Sequence, residues 1–274
     1  MQSQLDRNGD FFLMQHSASE FESLVERHLT SLSDSLVHYL AQDYRDDTMV
    51  VFRDILPIEL RHAMEAEARA LLQAEACRRE LIIEQSGGTP RAYSSVGRDA
   101  IRTNGTYIPA FFDSEAILSF LSHIIGEPIY RVPYKPEEFI INSQSRAGDT
   151  HGWHWDDYAF ALVWVVDEPD VLSGGRVEFV PRIHWDKEDT RSHLQRTLAS
   201  EQIRSVHVPA GSCYLLRAKD ALHRISPLTK ETRRTVIVFT YATTDELSDQ
   251  TISHESMESI YPTDTNVASS LEAA

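Results

Sequence analysis

The chain has 274 residues, 42% of them hydrophobic and 25% charged, which is enough for one soluble domain with a sizeable core. Its formal net charge of -16 repels phosphate backbones and anionic headgroups, so nucleic acid and membrane partners are not expected. A cationic small molecule is compatible with it.

Residues 1–16 carry no period and are expected to be flexible. Ser19 and Glu22 fit a capping box. Behind them Phe21, Val25, Leu29, Leu32, Leu36 and Leu40 recur at helical spacing. Residues 48–52 read as a strand. Pro57 opens a second helix with Leu60, Met64, Ala68, Leu71 and Ala74 on its apolar face. Gly87-Gly88-Thr89-Pro90 reads as a turn. Asp113 can cap a third helix carrying Ile117, Phe120, Leu121 and Ile124, and Gly126 can end it. Strand-like runs follow at 138–141, 159–166, 177–180, 203–208, 213–216 and 235–241, with one helix at about 186–199 among them. From Thr243 onward there are seven acidic residues and no Lys or Arg, as in a solvated tail or, alternatively, a lid.

Helices first and short strands afterwards favour an α+β chain. The expected core is a β-sandwich or jelly roll with the N-terminal helices packed on one sheet. The expected division of a single domain, 1–274, is helical support at 17–126, jelly-roll core at 127–242 and tail or lid at 243–274. Cys77, in an expected helix, and Cys213, in an expected strand, form neither a metal spacing nor a disulfide framework, so both are expected to be buried reduced thiols. There is no basic segment followed by an apolar run at the start, and no apolar stretch of bilayer length. A cytoplasmic protein is expected.

Chemistry concentrates in His151-Gly152-Trp153-His154-Trp155-Asp156-Asp157. Side chains two apart in an extended segment share a face, so His154 and Asp156 can reach one ion. His223 can return to them on a neighbouring strand. Two imidazoles and one carboxylate leave the opposite side of a metal open, which suits non-haem Fe(II), with zinc the lesser alternative. Arg234 follows His223 closely and can form a two-pronged pair with a dicarboxylate co-substrate. Its neighbour Arg233 must face the other way. Trp153, Trp155 and Tyr158 are expected to pack the core more than to line a pocket. His184, His193 and His207 are given no role.

This pattern, over about 137–242, resembles the Fe(II)/2-oxoglutarate-dependent dioxygenases, with their double-stranded β-helix (jelly-roll, cupin-like) core. The longer string Gly148 to Trp155, with Trp185-Asp186-Lys187 and Leu222-His223-Arg224, resembles the branch that contains the radical halogenases of free lysine and related amino-acid hydroxylases. In those halogenases a glycine replaces the metal carboxylate and chloride fills the vacancy. Here Asp156 stands at that place, so the resemblance implies hydroxylation. It also implies iron ligands His154, Asp156 and His223, and 2-oxoglutarate held by Arg234. Arg91 would hold the substrate carboxylate, with His151 and Asp157 contacting the amino acid. Glu137, beside the rival Glu138, would receive an amino group. The implied substrate is a free basic L-amino acid, lysine first, with O2 consumed and ascorbate stimulating. Desaturation or cyclisation at the same site, a non-catalytic metal-binding module and a homodimer are left open.

Overall fold

The computed structural model describes residues 16–261. The expectations for residues 1–15 and 262–274 lie outside the described residues.

Helix α1 (Ala18–Thr30) is capped two residues earlier than expected. Ser17 Oγ accepts from the Glu20 N–H at 3.3 Å, and the Glu20 carboxylate accepts from the Ser17 N–H at 2.8 Å. Glu22 serves another helix instead, accepting from the Ala116 N–H at 2.9 Å. The apolar period does not stop at Thr30, but the helix does. Ser33 caps a second helix, α2 (Asp34–Asp47), through the Leu36 N–H. Strand β1 (Met49–Phe52) and helix α3 (Ile58–Glu75), which starts directly after Pro57, follow as expected.

The next stretch departs from the expectation. Cys77 lies in a strand, β2 (Cys77–Ile83), and is exposed; only Cys213 is a buried thiol. β2 is bonded to one neighbour only, β3 (Thr89–Val96), and its Arg78, Arg79 and Glu80 obscure any apolar alternation, as charges on edge strands do. Gly87 and Gly88, at φ +76° and +77°, make the turn between them, and Thr89 and Pro90 already belong to β3. Helices α4 (Arg98–Asn104), α5 (Tyr107–Asp113) and α6 (Glu115–Ile125) come next. Asp113 ends α5 rather than capping α6. Ser114 takes that role, its Oγ accepting from the Ile117 N–H at 3.2 Å, and Gly126 ends α6 at φ +86° as expected.

The remaining strands are β4 (Tyr130–Arg131), β5 (Phe139–Gln144), β6 (Thr150–His154), β7 (Phe160–Asp167), β8 (Val177–Pro181), β9 (Arg204–Val206), β10 (Cys213–Leu216), β11 (Ala221–Ile225) and β12 (Arg234–Ala242). Helix α7 (Thr190–Ser200) interrupts them. It starts later than expected because the Asp186 carboxylate accepts from the Glu188 and Asp189 N–H groups and holds a turn there. All pairings are antiparallel, in the order β1-β10-β7-β12-β5-β3-β6-β11-β8-β9, with β2 on β3 and β4 on β12.

The packing shows how this sheet curls. Ala161, Val163 and Val165 of β7 share one apolar cluster with Tyr214 of neighbouring β10 and with Val177 and Phe179 of β8 and Ile225 of β11, strands far along the sheet order. Only a sheet folded over on itself brings them together, which is the double-stranded β-helix. Alternate residues of β7, Phe160, Leu162, Trp164 and Val166, face outward into a second cluster with Phe21, Leu60, Met64, Phe111 and Leu121 from the helices. β7 is therefore apolar on both faces, and its sequence is a continuous run instead of an alternation. Each such side chain, once fully buried, contributes roughly 1.5–3 kcal/mol.

The stretch after β12 is folded where it is described. The Glu246 carboxylate is buried and accepts from the Ala159 and Thr243 N–H groups and from Lys219 Nζ. A short helix, α8 (Glu255–Ile260), then contributes Ser256, Met257 and Ile260 to the cavity wall. Residues 243–261 are thus packed against the barrel, with Tyr261 also lining its cavity.

Candidate active site

β6 and β11 are neighbours, and their register sets His154 opposite His223. The two ring centroids are 4.1 Å apart. Asp156 follows the end of β6. Its Oδ1 lies 3.4 Å from His154 Nε2 and 3.5 Å from His223 Nε2. One ligand atom from each residue falls within 4.8 Å of the others.

The outer nitrogens are fixed. His154 Nδ1 is 2.8 Å from the Gly152 carbonyl and His223 Nδ1 is 2.8 Å from the Ala221 carbonyl. A carbonyl only accepts, so each Nδ1 donates to it and each Nε2 is the nitrogen turned toward Asp156. Burial, with His223 nearby, pushes His154 down to about 4, so its ring is neutral at neutral pH. Burial raises Asp156, but His223, His154 and Arg91 outweigh that and hold it below its ordinary range. Two imidazoles and a carboxylate held below its ordinary range, with carbonyls orienting the rings, form a donor set that fits Fe(II).

Two arginines flank this set. Arg234, the first residue of β12, is 5% exposed. Its Nη1 donates to Gln144 Oε1 at 3.4 Å, and among the described residues no carboxylate pairs with it. Gln144 Nε2 beside it is buried without a partner. Arg233 is exposed, as the alternation requires. Arg91 on β3 is 2% exposed and stands opposite His151 of β6. Its guanidinium donates to Thr89 Oγ1 at 3.0 Å, Ser86 Oγ at 3.2 Å and the Pro90 carbonyl at 3.1 Å. Its Nε has no partner, and no described carboxylate pairs with it either. Burial pushes it down to about 10, so it stays charged at neutral pH. β3 approaches β6 so closely that a Cβ on Gly152 would lie 2.7 Å from the Pro90 carbonyl oxygen. Glycine at 152 is what lets β3 pack this closely on β6.

His151 stacks between Tyr93 and His154, at centroid distances of 5.1 and 4.2 Å, and burial lowers it well below its ordinary range. Asp157 is buried and accepts from Lys187 Nζ at 2.9 Å. Glu137 is buried with its Oε1 2.9 Å from His254 Nδ1, and burial pushes it up to about 7 despite that contact. Its rival Glu138 pairs with Arg98 and Arg102 elsewhere. All eight residues singled out in the sequence, Arg91, Glu137, His151, His154, Asp156, Asp157, His223 and Arg234, line one cavity.

Trp153 and Tyr158 pack in apolar clusters as expected, while Trp155 both packs and touches the cavity. Sequence reasoning missed Tyr93, Gln144, Tyr214 and Met257 in the wall, and His254 behind Glu137. The β3 periodicity could have found Tyr93, two residues from Arg91 on the same face. Nothing local marks His254.

A family model described as Halogenase D matches residues 32–262. Several solved structures are similar. The non-heme alpha ketoglutarate dependent epimerase SnoN from nogalamycin biosynthesis is 18% identical at a TM-score of 0.57, with 77% of this chain and 84% of that chain covered. The carbocyclase SnoK from nogalamycin biosynthesis is 15% identical at 0.56, covering 79% and 86%. AviO1 from Streptomyces viridochromogenes Tue57 is 17% identical at 0.57, covering 79% and 96%. At such identities the likeness is one of fold. No curated protein matches the chain.

Proposed function

The chain belongs to the halogenase D family, a branch of the Fe(II)/2-oxoglutarate-dependent dioxygenases, and from that premise we propose that it hydroxylates a free basic L-amino acid, lysine first, at an unactivated side-chain carbon. The observation that carries this reading is the pair of buried arginines, Arg91 and Arg234, that share the cavity with His154, Asp156 and His223 and have no described carboxylate partner. A buried guanidinium without a counter-ion is costly, so each is a place made for a carboxylate that arrives with a ligand. One belongs to the co-substrate and one to the substrate.

In this assignment His154, Asp156 and His223 hold iron, and Arg234 takes the far carboxylate of 2-oxoglutarate. Iron and 2-oxoglutarate, when bound, supply with O2 an oxidant that breaks a C–H bond while succinate and CO2 are released. Arg91 fixes the amino acid by its carboxylate, with the neutral His151 beside it. Glu137 and Asp157 offer negative charge to its amino groups. Ile140, Val163, Val238 and Met257 complete the wall and keep water from the reacting carbon. Asp156 distinguishes this outcome from halogenation, because its carboxylate fills the place that chloride would need.

The test is a panel of amino acids with iron, 2-oxoglutarate and ascorbate, read by mass spectrometry. Lysine-dependent succinate and a product heavier by one oxygen are expected. Succinate formation indifferent to every amino acid, or a chlorinated product, would overturn the reading.

A further inference from the structure

Asp157 already has a cation. Lys187, in the loop before α7, places Nζ 2.9 Å from Asp157 Oδ1 and 4.4 Å from the centroid of the Trp185 ring. The partners differ in exposure: the Asp157 side chain is 6% exposed and that of Lys187 is 47% exposed. Asp157 faces two spaces at once. It lines the inner cavity with the iron-ligand residues, and it lines an outer cleft with Trp185, Lys187, Glu188, Asp189 and Glu255. The ion pair therefore stands in the partition between cavity and cleft.

We propose that Lys187 is a specificity-determining residue: its ammonium occupies the seat at Asp157 that a substrate ammonium must take, and only a cationic substrate displaces it. The inference rests on the amino-acid reading above and names which end of the substrate is checked. An incoming ammonium exchanges for Lys187 one charge for one, so Asp157 never stands buried and unpaired. The displaced side chain has somewhere to go. Trp185 already stacks under its charge, and Glu188, Asp189 and Glu255 offer counter-charge in the cleft. A neutral side chain offers no exchange and leaves Lys187 in place. Because Lys187 is tethered, it competes at a fixed effective concentration that weakens every cationic ligand equally.

The experiment compares L-lysine with L-norleucine, which has the same chain without the ε-amino group, in the wild type and in the Lys187→Met, Lys187→Arg and Asp157→Asn variants. KM and kcat are measured for both, with calorimetric binding to the iron(II)–2-oxoglutarate enzyme under nitrogen. For a pair with one half-exposed partner, Lys187→Met is expected to lower the KM and the dissociation constant for lysine about five-fold, with little change in kcat. Values for norleucine should not fall, Lys187→Arg should resemble the wild type, and Asp157→Asn should erase the preference for lysine. If Lys187 only braces Asp157, both substrates weaken together in Lys187→Met, which overturns the exchange. Unchanged lysine binding in that variant overturns it too. A wild type that neither binds nor oxidises lysine overturns the substrate class, and the exchange with it.

Discussion

Removing the Arg234 guanidinium should make the empty protein more stable and the loaded protein less so. Arg234 is 5% exposed, touches Gln144 at 3.4 Å and lacks a described carboxylate. In the ligand-free protein it is a buried charge only partly compensated, so Arg234→Met should stabilise by about 1–3 kcal/mol. For a chain of this size that corresponds to a rise of roughly 2–4 °C in Tm per kcal/mol. With iron(II) under nitrogen and 2-oxoglutarate at about 100 times its Kd, the wild type should gain about 2.7 kcal/mol from the co-substrate. Breaking a buried two-pronged pair costs about 3–5 kcal/mol, so the variant's Kd should rise at least 100-fold and its gain should shrink to below about 0.5 kcal/mol. Thermal unfolding of both proteins with and without 2-oxoglutarate reads all four quantities. A variant that keeps the full co-substrate shift would refute the role of Arg234. A variant destabilised when empty would show that Gln144 and its neighbours already satisfy the charge.

Asp156→Ala should abolish iron-dependent succinate formation while circular dichroism stays native; near-normal turnover would reject the ligand assignment. Arg91→Met should raise the KM for the amino acid roughly 30-fold or more with kcat less affected, as loss of a buried charge pair predicts, read in steady-state kinetics. Glu137 is 8% exposed and pushed up to about 7 from an ordinary 4.5, so the folded state holds its proton more tightly than the unfolded state. Its contribution to stability is full below pH 4.5 and is lost as pH rises toward 7. Glu137→Gln should flatten the stability profile between those values and leave the variant up to about 3 kcal/mol more stable at pH 8, by denaturant unfolding. A wild-type profile that does not fall over that window would contradict the burial argument.

The site was more legible than the scaffold that carries it. Iron chemistry restricts which residue types can act, so His154, Asp156, His223 and Arg234 stand out in the bare string. β5, β7, β8, β9, β10 and β12 show as strand-like runs, β7 most continuously because both its faces are covered, whereas β6 and β11 do not. β2 and β3 did not show, since β2 wears an edge strand's charges and a proline sits near the start of β3. Arg91 was therefore named by resemblance while its strand stayed hidden. Helix starts slipped where two capping residues lay close together, as Ser17 with Ser19 and Asp113 with Ser114. Contacts across long chain separations were beyond reach: His254 meets Glu137 from 117 residues away, and no local pattern encodes that pairing.

The seam between β6 and β11 is short and irregular, with register shifting between His223 and Ile225, and among the described residues it alone joins β11, β8 and β9 to the rest of the sheet. An ion gripped by His154 on one bank and His223 on the other would act as a rivet across that seam. Amide hydrogen exchange should then slow on iron loading chiefly in β11, β8 and β9, while β7 and β12, already clamped between two apolar layers, barely respond. A short, irregular join in the barrel would become one of its tightest whenever the enzyme is armed.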